Sequence, residues 1–487
     1  MKPVSRLLQT RPCPPLALAL SLMLTIFSFS PAADRPNIVY IMADDLGWAD
    51  VGYNGAEFFE TPNIDRLRAA GMAFDSSYPG ASNCMPSRSC IITGMYTPRT
   101  QMWTPGGKAK GSKKAMKFLV PRNADRKGDA EFPSKLALDP SVTSVAEVLC
   151  AAGYKTARFG KWHLGPDTQG FDVSDSNGLG GDPLKTHYGD VDVAETLTDA
   201  AVRFIEQSEE SPFFLYLCHW DVHTPIRARE DVVAKYEKKL ASKSWSRKWN
   251  TTYAAMVEAV DTSVGRVWAK LKEAGVDENT LLIFTSDNGG SSGATFCEPL
   301  RGAKGAFYEG GIRVPTCMAW PKVIKPGTTC ETPITGVDLM PSLAELAGAR
   351  LPENQPVDGR SFVPLLRADV AQDLTDRAIF WHYPLYLTGA LYNKVLPVYG
   401  TSRMFWRATP CSVIRKGDWK LIEFFEDDSV QLFNLRTDRS ETKDLSKEET
   451  DRARSMLAEL KQWQKDTKAV IPSSLNPDFD PNGNGMK

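Results

Sequence analysis

Asn37-Ile38-Val39-Tyr40-Ile41-Met42 runs directly into Ala43-Asp44-Asp45-Leu46-Gly47. A β-rich apolar run without alternation reads as a strand buried on both faces, as in the middle of a parallel or mixed sheet. Its two aspartates leave from the carboxyl end, where open α/β sheets place their chemistry. The pattern recurs. Tyr154-Lys155-Thr156-Ala157-Arg158-Phe159 delivers Gly160-Lys161-Trp162-His163, Pro212-Phe213-Phe214-Leu215-Tyr216-Leu217 delivers Cys218-His219-Trp220-Asp221-Val222-His223, and Thr280-Leu281-Leu282-Ile283-Phe284-Thr285-Ser286 delivers Asp287-Asn288-Gly289-Gly290. Between them, helical patterns cover 144–152, 197–205 and 253–274, the last with Val257, Val260, Val264 and Val267 on one side. Thr61 and Pro62 read as the N-cap and first residue of another helix. The class implied is α/β, a three-layer α/β/α sandwich around a large mixed, mostly parallel sheet.

Past the polar stretch around Asp358-Gly359-Arg360 and 367–376 the pattern changes to short strands at 378–383, 412–414, 419–422 and 431–435. Turns such as Lys416-Gly417-Asp418 separate them. With a helix at 448–467, this predicts a smaller C-terminal α+β domain built on an antiparallel sheet. The expected boundaries are an export signal at 1–33, a catalytic domain at 34–370, the C-terminal unit at 371–470 and a flexible tail at 471–487.

The 487 residues are 42% hydrophobic and 24% charged with a formal net charge of −1, which excludes a disordered chain and a nucleic-acid-coating one. Any hold on a polyanion must come from local patches. Lys2, Arg6 and Arg11 precede an apolar run at 16–29, and Ser30-Pro31-Ala32-Ala33 offers small residues for cleavage. We expect an exported protein, periplasmic or secreted, with no stable membrane span after cleavage; an uncleaved anchor is the alternative. Cys90, Cys150, Cys218, Cys297, Cys317, Cys330 and Cys411 do not form a disulfide framework, although Cys317 and Cys330 could pair. Lys108, Lys110, Lys113, Lys114, Lys117, Arg122, Arg126 and Lys127 make a basic stretch between 105 and 135, either a solvated loop or a lip for a sulfated polymer.

Asp44, Asp45, Asp287 and Asn288 are hard oxygen donors suited to Ca²⁺ or Mg²⁺, or else simple caps of the following helices. Cys84-Met85-Pro86-Ser87-Arg88-Ser89-Cys90-Ile91-Ile92-Thr93-Gly94 reads as a buried helix with Cys84 at its mouth. Unpaired N–H groups of a first turn, with Arg88 near them, would welcome a tetrahedral anion. An ordinary buried thiol and a papain-like nucleophile are the competing readings of Cys84.

Cys84-x-Pro86-Ser87-Arg88, with the Thr93-Gly94 end, resembles the signature of the type I sulfatases of the alkaline phosphatase superfamily. The resemblance extends from Pro36 to about Leu445, and the basic stretch near 105–135 departs from it. It implies that Cys84 is converted to formylglycine by a maturation enzyme and that Asp44, Asp45, Asp287 and Asn288, with the modified Cys84, hold one Ca²⁺, Mg²⁺ being less favoured. It further implies that Arg88 orients the nucleophile and Asp287 acts as base. Lys161, His223 and Lys304 would stabilise the spreading charge, with His223 or Lys304 protonating the leaving alcohol and His163 taking a proton as sulfate departs. His219 is not a motif histidine and reads as packing. The implied substrate is a sulfated carbohydrate or an aryl sulfate. The alternatives are a phosphonate or phosphodiester hydrolase on the same scaffold, and a sulfated-glycan-binding protein without catalysis.

Overall fold

The computed structural model describes residues 35–105, 116–120, 134–166, 169–175, 189–208, 211–369, 371–388 and 406–480. The export signal, the basic stretch apart from Lys117 and Lys135, and the tail beyond 480 lie outside the described residues.

One eight-stranded sheet organises the larger part. Its order is Val173–Ser174, Lys155–Gly160, Phe213–Cys218, Asn37–Ala43, Thr280–Ser286, Cys317–Ala319, Met72–Phe74, Thr328–Cys330. Asn37–Ala43 is central and parallel to both neighbours, and Cys317–Ala319 runs antiparallel to both of its own. Strict alternation on the central strand divides the two outer layers. Ile38, Tyr40 and Met42 pack with Ile91, Ile92, Val145, Val148 and Leu343, from the helices Cys84–Thr93, Val145–Ala151 and Leu339–Ala347. Val39, Ile41 and Ala43 pack with Ile64, Leu197, Ala201, Val257, Val260 and Val264, from Pro62–Ala70, Val193–Glu206 and Thr251–Glu273. The three-layer α/β/α sandwich read from the apolar runs is therefore the observed architecture.

Two local expectations change. Pro62–Ala70 starts where expected, but the Thr61 side chain does not cap it. Thr61 Oγ1 accepts from the Gly52 N–H at 2.7 Å, and buried Asp261 on the long helix takes the Asn63 and Ile64 N–H groups at 2.9 and 2.8 Å. The possible Cys317–Cys330 pairing is ruled out: both thiols are free, and Met72–Phe74 lies between their strands, Ala73 facing Cys317 and Phe74 facing Cys330.

The C-terminal sheet is antiparallel, Ala378–Tyr383, Cys411–Lys416, Trp419–Phe424 and Ser429–Asn434 in sequential order, with the helix Thr450–Asp466 over one face. Its other face buries Trp381, Val413, Ile422 and Phe433 against Tyr78, Ala306, Phe307 and Ile312 of the larger part. Lys117 is occupied at this junction: its Nζ donates to the Glu426 carbonyl and its N–H to the Tyr386 hydroxyl at 3.0 Å. A polymer-binding lip therefore cannot count Lys117 as a free cation.

Candidate active site

Four carboxyl ends of parallel strands, together with the start of Cys84–Thr93, converge on one point. Gly94, with φ +68°, ends that helix in the left-handed conformation favoured by glycine, donating its N–H to the Cys90 carbonyl. All ten helix residues are buried, so Cys84 is held by its helix rather than by a loop.

Cys84 Sγ lies 3.2 Å from Asp44 Oδ1, 3.7 Å from Asp45 Oδ1 and 3.2 Å from Lys304 Nζ. Lys304 also pairs with Asp45 at 2.6 Å, and Lys161 Nζ pairs with Asp44. His223 Nε2 stands 3.8 Å from Asp45, its Nδ1 bonded to the Thr224 carbonyl oxygen at 2.6 Å. The sequence-predicted residues Asp44, Asp45, Cys84, Lys161, His223 and Lys304 are thus brought together in one cluster linked through Asp44, Asp45 and Cys84.

Arg88 is also buried here, but its fork is already filled. Nε and one terminal nitrogen donate to Asp287 Oδ2 at 3.1 and 2.8 Å, and the other donates to the Lys161 carbonyl at 2.6 Å. Its nearest approach to Asp44 is 3.9 Å. In this arrangement the guanidinium fixes Asp287 and the Lys161 backbone instead of opening toward an anion. His163 differs from expectation as well. Its φ of +64° is a left-handed backbone position, so it does not continue the extended strand that delivers Lys161. Burial, then Lys161 and Arg88, push its imidazole down to about 3, so it is a neutral base at ordinary pH, and its buried Nδ1 has no partner among the described residues. His219 is fully buried, bonded to Ser263 Oγ at 2.9 Å, and pushed down to about 4 by burial, in keeping with packing.

The electrostatics follow from three carboxylates and three fixed cations in little space. Burial would raise the Asp44 carboxyl, but Lys161, His223, Arg88 and Lys304 together hold it well below the usual range. Burial and then Asp44 push Asp287 up to about 6 against Arg88 and Lys161. Burial tends to deprotonate Lys304, and Asp45 first among its neighbours outweighs that and keeps it charged. Burial, followed by Asp287 and Asp44, pushes the Cys84 thiol well up. A thiol protonated in this way, with His223 turned to a carbonyl, lacks the activated thiolate and oriented imidazole of a papain-like site.

The donor set suits a hard cation. Asp44, Asp45 and Asp287 are at most 2% exposed, and Asn288 Oδ1 is buried with no hydrogen-bond partner among the described residues, while its Nδ2 donates to Asp45 Oδ1 at 2.8 Å. Such an orphaned amide oxygen beside carboxylates is what a bound Ca²⁺ would satisfy. Among the described residues, Asp44, Asp45, Cys84 and His223 also bring ligand atoms within 4.8 Å of one another.

The sequence reading did not identify a buried ionic cluster behind Lys304, formed by Glu309, Lys420 and Glu441. Its members are far apart in sequence; the visible trace is a lysine in an apolar strand, Trp419-Lys420-Leu421-Ile422.

Residues 36–349 match the family model described as Sulfatase, and residues 303–468 match that of the N-sulphoglucosamine sulphohydrolase C-terminal region. A sulfatase of Formosa agariphila is 32% identical, covering 89% of this chain and 89% of its own. Human arylsulfatase A is 31% identical over 75% of this chain and 74% of its own. The crystal structure of Ps i-CgsB in complex with k-i-k-neocarrahexaose superposes with a TM-score of 0.70 at 28% identity, covering 90% of this chain and 95% of that one. With the fold and the converging site, these likenesses place the chain in the sulfatase family: it is a type I sulfatase of the alkaline phosphatase superfamily, an enzyme that hydrolyses sulfate esters.

Proposed function

We propose that the chain releases inorganic sulfate from sulfated carbohydrates, with aryl sulfates as small surrogates, by means of a formylglycine made from Cys84. The observation that carries this is the setting of Cys84: first residue of a buried helix, 3.2 Å from both Asp44 Oδ1 and Lys304 Nζ. The neighbour solved with a neocarrahexaose supports the carbohydrate class. When installed, the formylglycine hydrate supplies two hydroxyls on one carbon, one to attack sulfur and one whose deprotonation lets sulfate leave. A Ca²⁺ held by Asp44, Asp45, Asp287 and Asn288 would supply positive charge beside the sulfate oxygens.

The remaining work falls to side chains already in place. Arg88 fixes the Asp287 carboxylate, placing it to draw a proton from a nearby hydroxyl. Lys161 and Lys304, paired with Asp44 and Asp45, would stabilise the negative charge that spreads over the sulfuryl oxygens. His223 or Lys304 gives the proton to the leaving alcohol, and neutral His163 takes the one released with sulfate. The maturation enzyme acts before Cys84 is enclosed, and residues 1–33 direct export to the periplasm or medium. No helix among the described residues is long and apolar enough to cross a membrane.

The test is a comparison of kcat/KM on 4-nitrophenyl sulfate, a phenyl phosphodiester and a phenyl phosphonate, followed by sulfated oligosaccharides. Sulfate is expected to exceed either phosphorus ester by roughly 10²-fold or more, a difference of about 3 kcal/mol in transition-state binding. A phosphodiester or phosphonate turned over faster than the sulfate would transfer the site to phosphorus chemistry, and binding of sulfated glycan without turnover would make it a binding protein.

A further inference from the structure

The loop Arg301-Gly302-Ala303-Lys304-Gly305-Ala306-Phe307-Tyr308-Glu309-Gly310-Gly311 faces two ways. In front, Lys304 meets Asp45 and Cys84, while its N–H donates to the Gly290 carbonyl at 2.9 Å. Behind, Glu309 is wholly buried and meets Lys420 Nζ at 2.9 Å, Arg313 Nε at 2.7 Å and the Tyr78 hydroxyl at 2.8 Å. Lys420, equally buried, belongs to the Trp419–Phe424 strand of the C-terminal sheet and forms a second ion pair with Glu441 at 2.9 Å. Glu441 returns to the loop, accepting the Glu309 N–H at 2.6 Å, and its carbonyl accepts from Arg301 at 2.7 Å.

The two sides of the loop are in direct backbone contact. A Cβ on Gly310 would fall 2.4 Å from the Gly302 carbonyl oxygen, and one on Gly311 would fall 2.1 Å from that of Ala306. The Gly310 N–H donates to the Arg301 carbonyl at 2.7 Å, and the Gly311 carbonyl accepts from Gly289, next to Asn288. A shift of Glu309 is therefore passed to the segment that carries Lys304. Burial opposes the Glu309 charge, but Lys420 first, then Arg313 and Arg415, hold the carboxyl well below the usual range. Removing one partner of such a pair leaves a buried charge without compensation.

We propose that Lys420 is a positioning residue for Lys304: the C-terminal sheet reaches through the Lys420–Glu309 ion pair to set the loop that aims Lys304 at Asp45 and Cys84. This rests on the reading of Lys304 as part of the sulfate-ester site. It gives the C-terminal sheet a role in the reaction without any contact to substrate.

The test is a double-mutant cycle joined to a chemical footprint. Lys420→Met is expected to lower kcat about tenfold with little change in KM in the wild-type background, but less than about twofold when Lys304 is already alanine, since coupled residues are not additive. In the footprint, brief acetylation followed by peptide mass spectrometry should show Lys304 labelling rise about fivefold or more in Lys420→Met, as expected for local opening. Labelling of buried Lys161 and exposed Lys272 should stay unchanged. General loosening would expose Lys161 as well, and an additive cycle would show that Lys420 acts elsewhere; either result overturns the proposal. Should Lys420→Met fail to fold, Glu441→Gln, which keeps the Lys420–Glu309 pair but removes its outer carboxylate, is expected to show a smaller rise at Lys304. No rise there overturns the proposal equally. The footprint needs no turnover, so it decides the question even if the wild-type chain releases no sulfate, an outcome that would count against the proposed reaction alone.

Discussion

Cys84→Ala is expected to lower sulfate release by roughly 10⁴-fold or more, the scale of loss when a covalent nucleophile is removed. The reason is specific to this position. Cys84 Sγ touches Asp44, Asp45 and Lys304, at the point where the ends of the strands converge. The fold should survive, since trading one buried sulfur for hydrogen costs on the order of 1 kcal/mol. The paired measurements are sulfate release by ion chromatography and the thermal midpoint. Cys84→Ser makes the argument sharper: a serine supplies one hydroxyl where the proposed chemistry needs two on the same carbon. It is expected to stall after a first turnover at most. Steady turnover by either variant would mean that Cys84 is not the nucleophile.

Exhaustive chelation is expected to produce the second large effect, a loss of roughly 10²-fold or more, equal to about 3 kcal/mol of charge stabilisation. Asp44, Asp45 and Asp287 are buried together, and without a cation their mutual repulsion is relieved by the side chains around them, Lys161, His223, Arg88 and Lys304. Lys304 and Lys161, drawn into pairing with Asp45 and Asp44, are then less available to sulfate. Adding Ca²⁺ should restore activity, Mg²⁺ less well, because carboxylates with an amide oxygen form an all-oxygen site of flexible geometry. Better recovery with Zn²⁺ would instead favour the mixed donor group of Asp44, Asp45, Cys84 and His223.

The centre of the site was legible because its residues follow long apolar strands, and a strand end is a place that sequence can locate. Asp44 and Asp45 follow Asn37–Ala43, and Asp287 and Asn288 follow Thr280–Ser286, each strand buried along nearly its whole length. The three strands beyond Thr280–Ser286 were not legible. Met72–Phe74, Cys317–Ala319 and Thr328–Cys330 are three residues each, too short for period-two patterning to register. Long-range polar contacts were hidden for a different reason. That Asp261 caps Pro62–Ala70, that Arg88 closes on Asp287, and that Lys420 meets Glu309 all depend on three-dimensional proximity between residues with no local signature of it. His163 turned out to occupy a left-handed backbone position, which a non-glycine residue adopts under tertiary constraint and sequence does not announce.

The most direct measurement is peptide mass spectrometry of the active protein across Met85-Pro86-Ser87-Arg88 and the preceding Cys84. Residue 84 is expected to carry an aldehyde, trapped as its hydrazone, in a fraction of molecules that rises in proportion to specific activity on an aryl sulfate. Full sulfatase activity from protein in which residue 84 is everywhere an unmodified thiol would contradict the account.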